Sequence, residues 1–205
     1  MRTEKEIVYS ILNSLRGSHS GNNESISNRL IRSWIASERA NILLQFTDAG
    51  RSINEENFQS LPTQTFTKVS GNLYISKVPK ILYFNKRSGI RLRHQGDVIL
   101  MCTKSQDRNY QQDMYFKGVS RAWNVHDDLY IRIGDGSNSV IDIDIDAVLY
   151  YPADSAYYSW ESTSFPLQSE LIKVLKQKAI ESEHNIINMA MNDQTNNFKS
   201  DNGAQ

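Results

Sequence analysis

Apolar residues recur at helical spacing close to the start of the chain. Ile7, Ile11 and Leu15 form one stripe with Val8 and Leu12 beside it, the pattern of an amphipathic helix. Thr3 and Glu6 stand at capping-box spacing ahead of the run: the hydroxyl takes a free first-turn N–H and the carboxylate reaches back to the cap. Gly17 supplies a stop, and Ser18–Glu24 reads as a polar turn. Ser25 or Ser27 is placed to cap a second helix. There Leu30, Ile31, Trp34, Ile35, Ile42 and Leu43 share a broad face, while Arg29, Arg32, Glu38 and Arg39 fall mostly elsewhere. Gly50 ends this region. Two helices on a short loop are expected to pack as an antiparallel hairpin.

After about residue 60 the period shortens to that of strands. Thr63–Val69, Leu73–Ile75, Ile81–Phe84, Ile90–Arg93, Val98–Cys102, Met114–Val119 and Leu129–Ile133 are short strand-like runs, and Val140–Tyr151 is a longer one. Gly71-Asn72, Pro79, Gly96-Asp97 and Asp135-Gly136 punctuate them, with Asp135-Gly136 the clearest hairpin turn. Short strands at regular spacing predict a compact antiparallel sandwich or barrel.

Helical spacing returns near Phe165-Pro166. Ser164 is placed to cap, Pro166 to fill the first turn and Glu170 to face the positive end of the dipole. Leu167, Leu171, Leu175, Ala179 and Ile186 continue the stripe, flanked by Ile172, Ile187 and Met189. From Asn192 onward the sequence is almost entirely polar, and disorder is expected. The fold class is α+β. An N-terminal helix pair and a C-terminal helix form a bundle (1–60 with 153–191), around a central antiparallel sandwich or barrel (61–152), with a flexible tail (192–205).

Composition narrows the function. The 205 residues carry 23 Lys+Arg against 23 Asp+Glu, so a strongly basic nucleic-acid binder is not the default reading. Aromatic content of 10% argues for a folded chain. The single cysteine, Cys102, makes no internal disulfide and suits a reducing compartment, or a particle assembled in one. No run approaches the roughly 20 apolar residues of a membrane span, and the first residues do not read as a signal peptide. A soluble, unexported protein is expected.

Candidate chemistry is sparse. Asp142, Asp144 and Asp146 alternate with Ile141, Ile143 and Ile145. An EF-hand would need a glycine where Ala147 stands and an acid where Ala153 stands. A half-buried strand with an acidic outer face is the plainer reading, with a cation site or a polar contact to a neighbouring subunit as alternatives. Cys102 lies in an apolar strand, and His19, His94, His126 and His184 are scattered without metal-ligand spacing. With no phosphate-binding loop and no nucleophile elbow, no catalytic residue, metal or cofactor is expected. Lys77, Lys80, Lys86, Arg87, Arg91 and Arg93, interleaved with Tyr83 and Phe84, suit a plain surface, a protein interface or a phosphate backbone. Among Tyr150, Tyr151, Tyr157, Tyr158, Trp160 and Phe165, the first two are expected to seal the β module, and Tyr157, Tyr158 and Trp160 to serve partly as an interface.

The terminal blocks carry a resemblance. Thr3-Glu4-Lys5-Glu6-Ile7-Val8-Tyr9, Ile26-Ser27-Asn28-Arg29-Leu30-Ile31-Arg32-Ser33-Trp34-Ile35 and Arg39-Ala40-Asn41-Ile42-Leu43-Leu44 resemble the opening of structural proteins of crAss-like bacteriophages, which are short-tailed and infect Bacteroidetes. Phe165-Pro166-Leu167 with Glu170-Leu171-Ile172 and the Asn/Asp-rich tail fit the same group, and the layout is similar to head-to-tail adaptors of other short-tailed phages. The resemblance implies a non-enzymatic virion protein made in the host cytoplasm. It would be a homo-oligomeric ring of about twelve copies, closed by heterologous contacts, below the portal and beside other tail ring proteins. Genomic DNA would pass through the channel without sequence-specific binding, and no membrane is involved. On that reading the expected contacts are Arg29, Arg32, Arg39, Tyr157, Tyr158, Trp160 and Phe198. The alternative is a β-sandwich module of a tail accessory protein that binds glycan or nucleic acid.

Overall fold

A computed structural model of the chain describes residues 2–18, 27–84, 87–113, 115–116, 118–125, 127–134 and 137–181. Their helices are α1 (Glu4–Ser18), α2 (Asn28–Asp48), α3 (Lys104–Gln112) and α4 (residues 169–181). The described residues divide into two compact units, those of Met1–Ile42 with Trp160–Gln205, and Leu43–Ser159.

In the terminal unit, α1 starts with the capping box: Glu6 N–H donates to Thr3 Oγ1 and Thr3 N–H to Glu6 Oε2, each at 3.3 Å. Its stripe Ile7, Val8, Ile11, Leu12 and Leu15 is buried throughout. The helix runs on past Gly17 to Ser18. Ser27 caps α2, accepting the Arg29 N–H on Oγ at 3.2 Å; Ser25 lies outside the described residues. Ile31, Ile35 and Ile42 are buried, but Leu30 is exposed, because its helical azimuth coincides with that of exposed Asn41.

The last helix begins at residue 169, later than the Ser164 and Pro166 signals suggest. Other bonds claim that segment. Ser164 forms a bridge with Thr3, Phe165 N–H donates to the Arg2 carbonyl at 2.9 Å, and Lys5 N–H donates to the Trp160 carbonyl at 2.9 Å. Once in α4, Ile172, Leu175 and Ala179 are buried, while Leu171 is half-buried. Lys176 Nζ ties α4 to α1 by donating to Ser10 Oγ at 2.7 Å. Ile186, Ile187 and Met189 lie outside the described residues.

The second unit is built on β1 (Gln59–Ser60), β2 (Gln64–Ser70), β3 (Leu73–Lys77), β6 (Ile90–His94), β7 (Asp97–Met101), β8 (Arg121–Val125), β9 (Asp128–Arg132) and β10 (Val140–Ala147). A separate short pair, β4 (Tyr83–Phe84) and β5 (Arg87–Ser88), stands between β3 and β6 in the chain. The strands run β10-β2-β3-β9-β8-β7-β6 and return to β10, so the sheet closes as a seven-stranded barrel. β10 makes the closure: Val140–Ile143 pair with β2, and Asp144–Ala147 pair with β6. β1 extends the β2 side over Asp146 and Ala147. Phe66, Tyr74, Leu92, Ile99, Leu129, Ile131, Ile141, Ile143 and Ile145 fill the interior. The alternation in β10 thus resolves as isoleucines inward and aspartates outward, as the strand period requires.

The barrel departs from an all-antiparallel plan at one place, where β7 and β8 run parallel. A parallel neighbour needs a crossover, and α3 supplies it. Thr103 caps α3 with a full capping box, Gln106 N–H donating to Thr103 Oγ1 at 3.2 Å and Thr103 N–H to Gln106 Oε1 at 2.8 Å. The run Met114–Val119, expected as a strand, contains turns at 115–116 and 118. It is the descent from α3 into β8, whose first residue is Arg121. Val140–Tyr151 is strand only to Ala147, since Val148 and Tyr150 turn their N–H groups to the Gly89 and Lys80 carbonyls.

The β6–β7 hairpin turns on Gln95 and Gly96, at φ 53° and 89°, the pair of positive φ values that a tight hairpin needs. Asp135-Gly136 lies outside the described residues. Gly134 is constrained differently: a Cβ there would run into the Gly118 carbonyl oxygen and lie 3.1 Å from its carbon. Because both obstacles are backbone, Gly134→Ala is expected to cost about 1–3 kcal/mol, read as a lowered urea midpoint.

Candidate functional site

Helix α2 presents its three arginines in three different environments. Arg29 is exposed. Arg32 donates from Nε to Glu4 Oε1 at 2.6 Å, and its guanidinium lies 5.2 Å from the Trp160 ring centroid. Lys5 approaches the same ring at 5.8 Å and pairs with Glu161 at 3.2 Å. Trp160 is therefore held inside its own unit by two cations. Arg39 is fully buried, donating from Nε to the Pro166 carbonyl at 2.7 Å with its guanidinium 6.0 Å from the Phe165 ring. Its expected exposure at a contact gives way to burial within one chain, because it shares a face with Ile35 and Leu43 at helical spacing. Tyr157 is 65% exposed, Tyr158 is half-buried, and Phe198 lies outside the described residues. The structure thus brings Arg32 and Trp160 together and leaves Arg29 and Tyr157 open to solvent.

On the barrel wall the acidic strand is matched on both flanks. Thr65, Thr63 and Ser60 donate hydroxyls to Asp142, Asp144 and Asp146 at 3.0, 3.2 and 2.5 Å. On the other flank Asp144 and Asp146 stand in register with Arg93 and Arg91 of β6. Opposite charges on neighbouring strands stabilise the pairing. Among the described residues no group of three His, Cys, Asp or Glu side chains is placed to hold a metal ion.

The described members of the basic run stand in different settings. Arg91 pairs with Glu55 at 2.5 Å and lies over Phe58 at 4.0 Å; the hydrogen bond to Arg91 holds the Glu55 carboxyl below its ordinary range. Lys80 lies 4.4 Å from the Tyr150 ring centroid. Arg93 is exposed, Lys86 lies outside the described residues, and the Arg87 side chain is also outside them. Cys102 is half-buried and its N–H donates to the Ala122 carbonyl at 2.9 Å. Burial, with a smaller push from Asp107, raises its thiol above the ordinary value, which opposes thiolate chemistry.

One polar cluster was not legible as a site in the sequence. Buried Asp107 of α3 accepts from Arg121 Nε at 3.1 Å, from Arg132 Nε and a terminal nitrogen at 3.2 Å, and from Gln111 at 2.8 Å. Arg121 also donates to the Phe116 carbonyl at 2.6 Å, and Arg132 to Asn72 Oδ1 at 2.8 Å. Burial pushes the Asp107 carboxyl upward, but the hydrogen bonds from Arg132, Gln111 and Arg121 outweigh it and hold the group below its ordinary value. The cluster clamps α3 onto β8 and β9. Its chemistry is that of a structural joint.

An open cleft of about 450 Å³ in the terminal unit is lined by Arg2, Ser169, Ile172, Lys173 and Lys176. Burial, reinforced by the Arg2 charge, lowers the Lys176 ammonium from its usual value.

What the molecule offers is a closed barrel, a cross-linked set of helices and exposed side chains on both. A family model described as phage tail ring protein 2 matches residues 6–202. The chain belongs to this family of crAss-like phage tail ring proteins. The match takes in sequence from both compact units. No curated protein matches the chain. Membership makes this ring protein a structural component of the virion, and assembly into an oligomeric ring with other tail components is the family's mode of action. No described helix is long and apolar enough to cross a membrane.

Proposed function

We propose that this ring protein is a head-to-tail connector subunit, assembling below the portal as a closed ring around the channel through which the genome leaves the capsid. The match across residues 6–202 carries the reading. Closure of the barrel supports it in a specific way. The barrel sheet closes on itself and leaves no barrel edge for a neighbour to extend, so contacts on the barrel wall are made by outward side chains, and the ring's copy number is set by the angle between neighbouring copies. Heterologous contacts of this kind close at about twelve copies in the proposed ring. Equal numbers of basic and acidic residues suit a wall past which DNA slides, because a strongly basic lining would hold the phosphate backbone.

Arg29 and Tyr157 are the contacts proposed from the exposed surface, with residues 192–205 adding contacts to a partner. The test is to mix the full chain with its phage's purified portal and weigh the product by native mass spectrometry. A multimer of the ring protein bound to the portal is expected. Rings that ignore the portal would remove the portal-proximal position and move the protein further down the tail. Truncation after Met191 is expected to leave the monomer's unfolding midpoint unchanged and to weaken assembly. A truncated chain that joins the ring as well as the full one excludes a role for the tail.

A further inference from the structure

The outer wall of the barrel is polar at most positions, as Thr65, Thr67, Arg91, Arg93, Asp142 and Asp144 show. Two places break that rule. On β7 the outward residues are Val98, 75% exposed, and Leu100, also exposed. Val119 extends this face, since it precedes Ser120, whose carbonyl accepts the Leu100 N–H at 3.0 Å. The second place joins β2 and β10: Val140 is in register with Thr67, and Val69, 56% exposed, follows at the bulge where the β2–β3 register shifts between Lys68 and Ser70.

One arginine and one aspartate border these faces. Arg93 is the register partner of Val98 and shares its outward direction. Asp142 follows Val140 at the strand period and points outward with it. In the strand order β7-β6-β10-β2, Val140 stands two strands and Val69 three strands from Val98 in a barrel of seven, and Arg93 and Asp142 lie between them on the neighbouring strands β6 and β10.

A subunit of a closed ring needs two distinct surfaces that fit each other, because a heterologous contact repeats around the circle. Resting on the ring reading above, we propose that successive copies meet through these faces. Val98, Leu100 and Val119 of one copy cover Val69 and Val140 of the next, and Arg93 meets Asp142 across the rim. Apolar burial supplies the attraction, and the unlike rims fix the order of the two faces. A face turned onto its own kind would forgo the Arg93–Asp142 contact.

The experiment uses full-length Val98→Asp and Val140→Asp, each alone and then mixed, with the unmodified chain beside them. Both positions are exposed, so near-ultraviolet circular dichroism and thermal midpoints should match the unmodified chain. Each variant alone is expected to lose assembly by at least about tenfold in apparent affinity. Mixed, they retain one intact pair of faces and should give a 1:1 dimer that grows no further in native mass spectra. If either variant assembles like the unmodified chain, or the mixture gives no dimer or complete rings, the assignment of these faces is wrong while the ring reading stands. If the unmodified chain stays monomeric both alone and with purified portal and tail components, the ring reading falls and this inference with it.

Discussion

Asp107→Ala is expected to lower stability by about 3–5 kcal/mol, the range for removing one partner of a buried ion pair. The magnitude follows from what remains. Arg121 is fully buried and donates to Asp107 and to the Phe116 carbonyl. Without the carboxylate its charge stays in the interior against neutral groups, the Phe116 carbonyl and the Tyr110 ring, and Arg132 loses the group that orients it towards α3. The loss should appear as a lower urea midpoint and as faster amide exchange in α3 and β8. A double replacement, Asp107→Leu with Arg121→Met, removes both charges and should recover part of the loss. An Asp107→Ala protein as stable as the parent would show that the cluster is not the joint described. The same group predicts a pH dependence. The Asp107 carboxyl is depressed in the folded state, so its contribution is complete above the ordinary carboxylate range. It is lost as pH falls through the folded value. Midpoints of Asp107→Ala and the parent should therefore converge in strong acid.

Arg39→Ala is expected to cost about 3 kcal/mol, from the cavity left by a large, fully buried side chain and the loss of its hydrogen bond to the Pro166 carbonyl. Lysine at the same place keeps the charge but not the planar Nε donor, and should recover only part. The informative comparison is between stability and assembly. Loss of a buried Arg39 lowers the monomer's unfolding midpoint, whereas loss of an exposed contact residue would leave the midpoint unchanged and reduce assembly alone. Arg29→Ala serves as the exposed control and should leave stability within about 0.5 kcal/mol.

Much of the fold was legible because its elements obey simple periods. The α1 stripe from Ile7 to Leu15, the Thr3 capping box and the Ile141–Ile145 alternation each needed only one rule, and each appears in the structure. What escaped has physical reasons. Among Lys104–Gln112 the large apolar side chain is Tyr110, so α3 has no stripe to detect, and its signature was the Thr103 and Gln106 pair. β8 begins with buried Arg121, which disguises a covered strand as a surface segment. Burial of Arg121 depends on α3 folding back over the barrel, a relation between distant residues that no local pattern encodes.

The surface residues were the least legible. Arg39 reads as a surface charge by composition, yet its spacing of four from both Ile35 and Leu43 pointed to the buried face. Trp160 reads as an interface ring, and the structure sets Arg32 and Lys5 against it within its own unit while leaving it half-buried. Val98 and Val69 lay inside runs that read simply as strands. Their exposure became visible only in the closed barrel, whose interior Ile99 and Phe66 fill.

The most direct test is to image the unmodified full-length protein by negative stain and weigh it by native mass spectrometry, alone and with purified portal and tail components. The account predicts closed rings of a single copy number, with every subunit making the same head-to-tail contact. A persistent monomer in all mixtures, or an isologous dimer that grows no further, would contradict it.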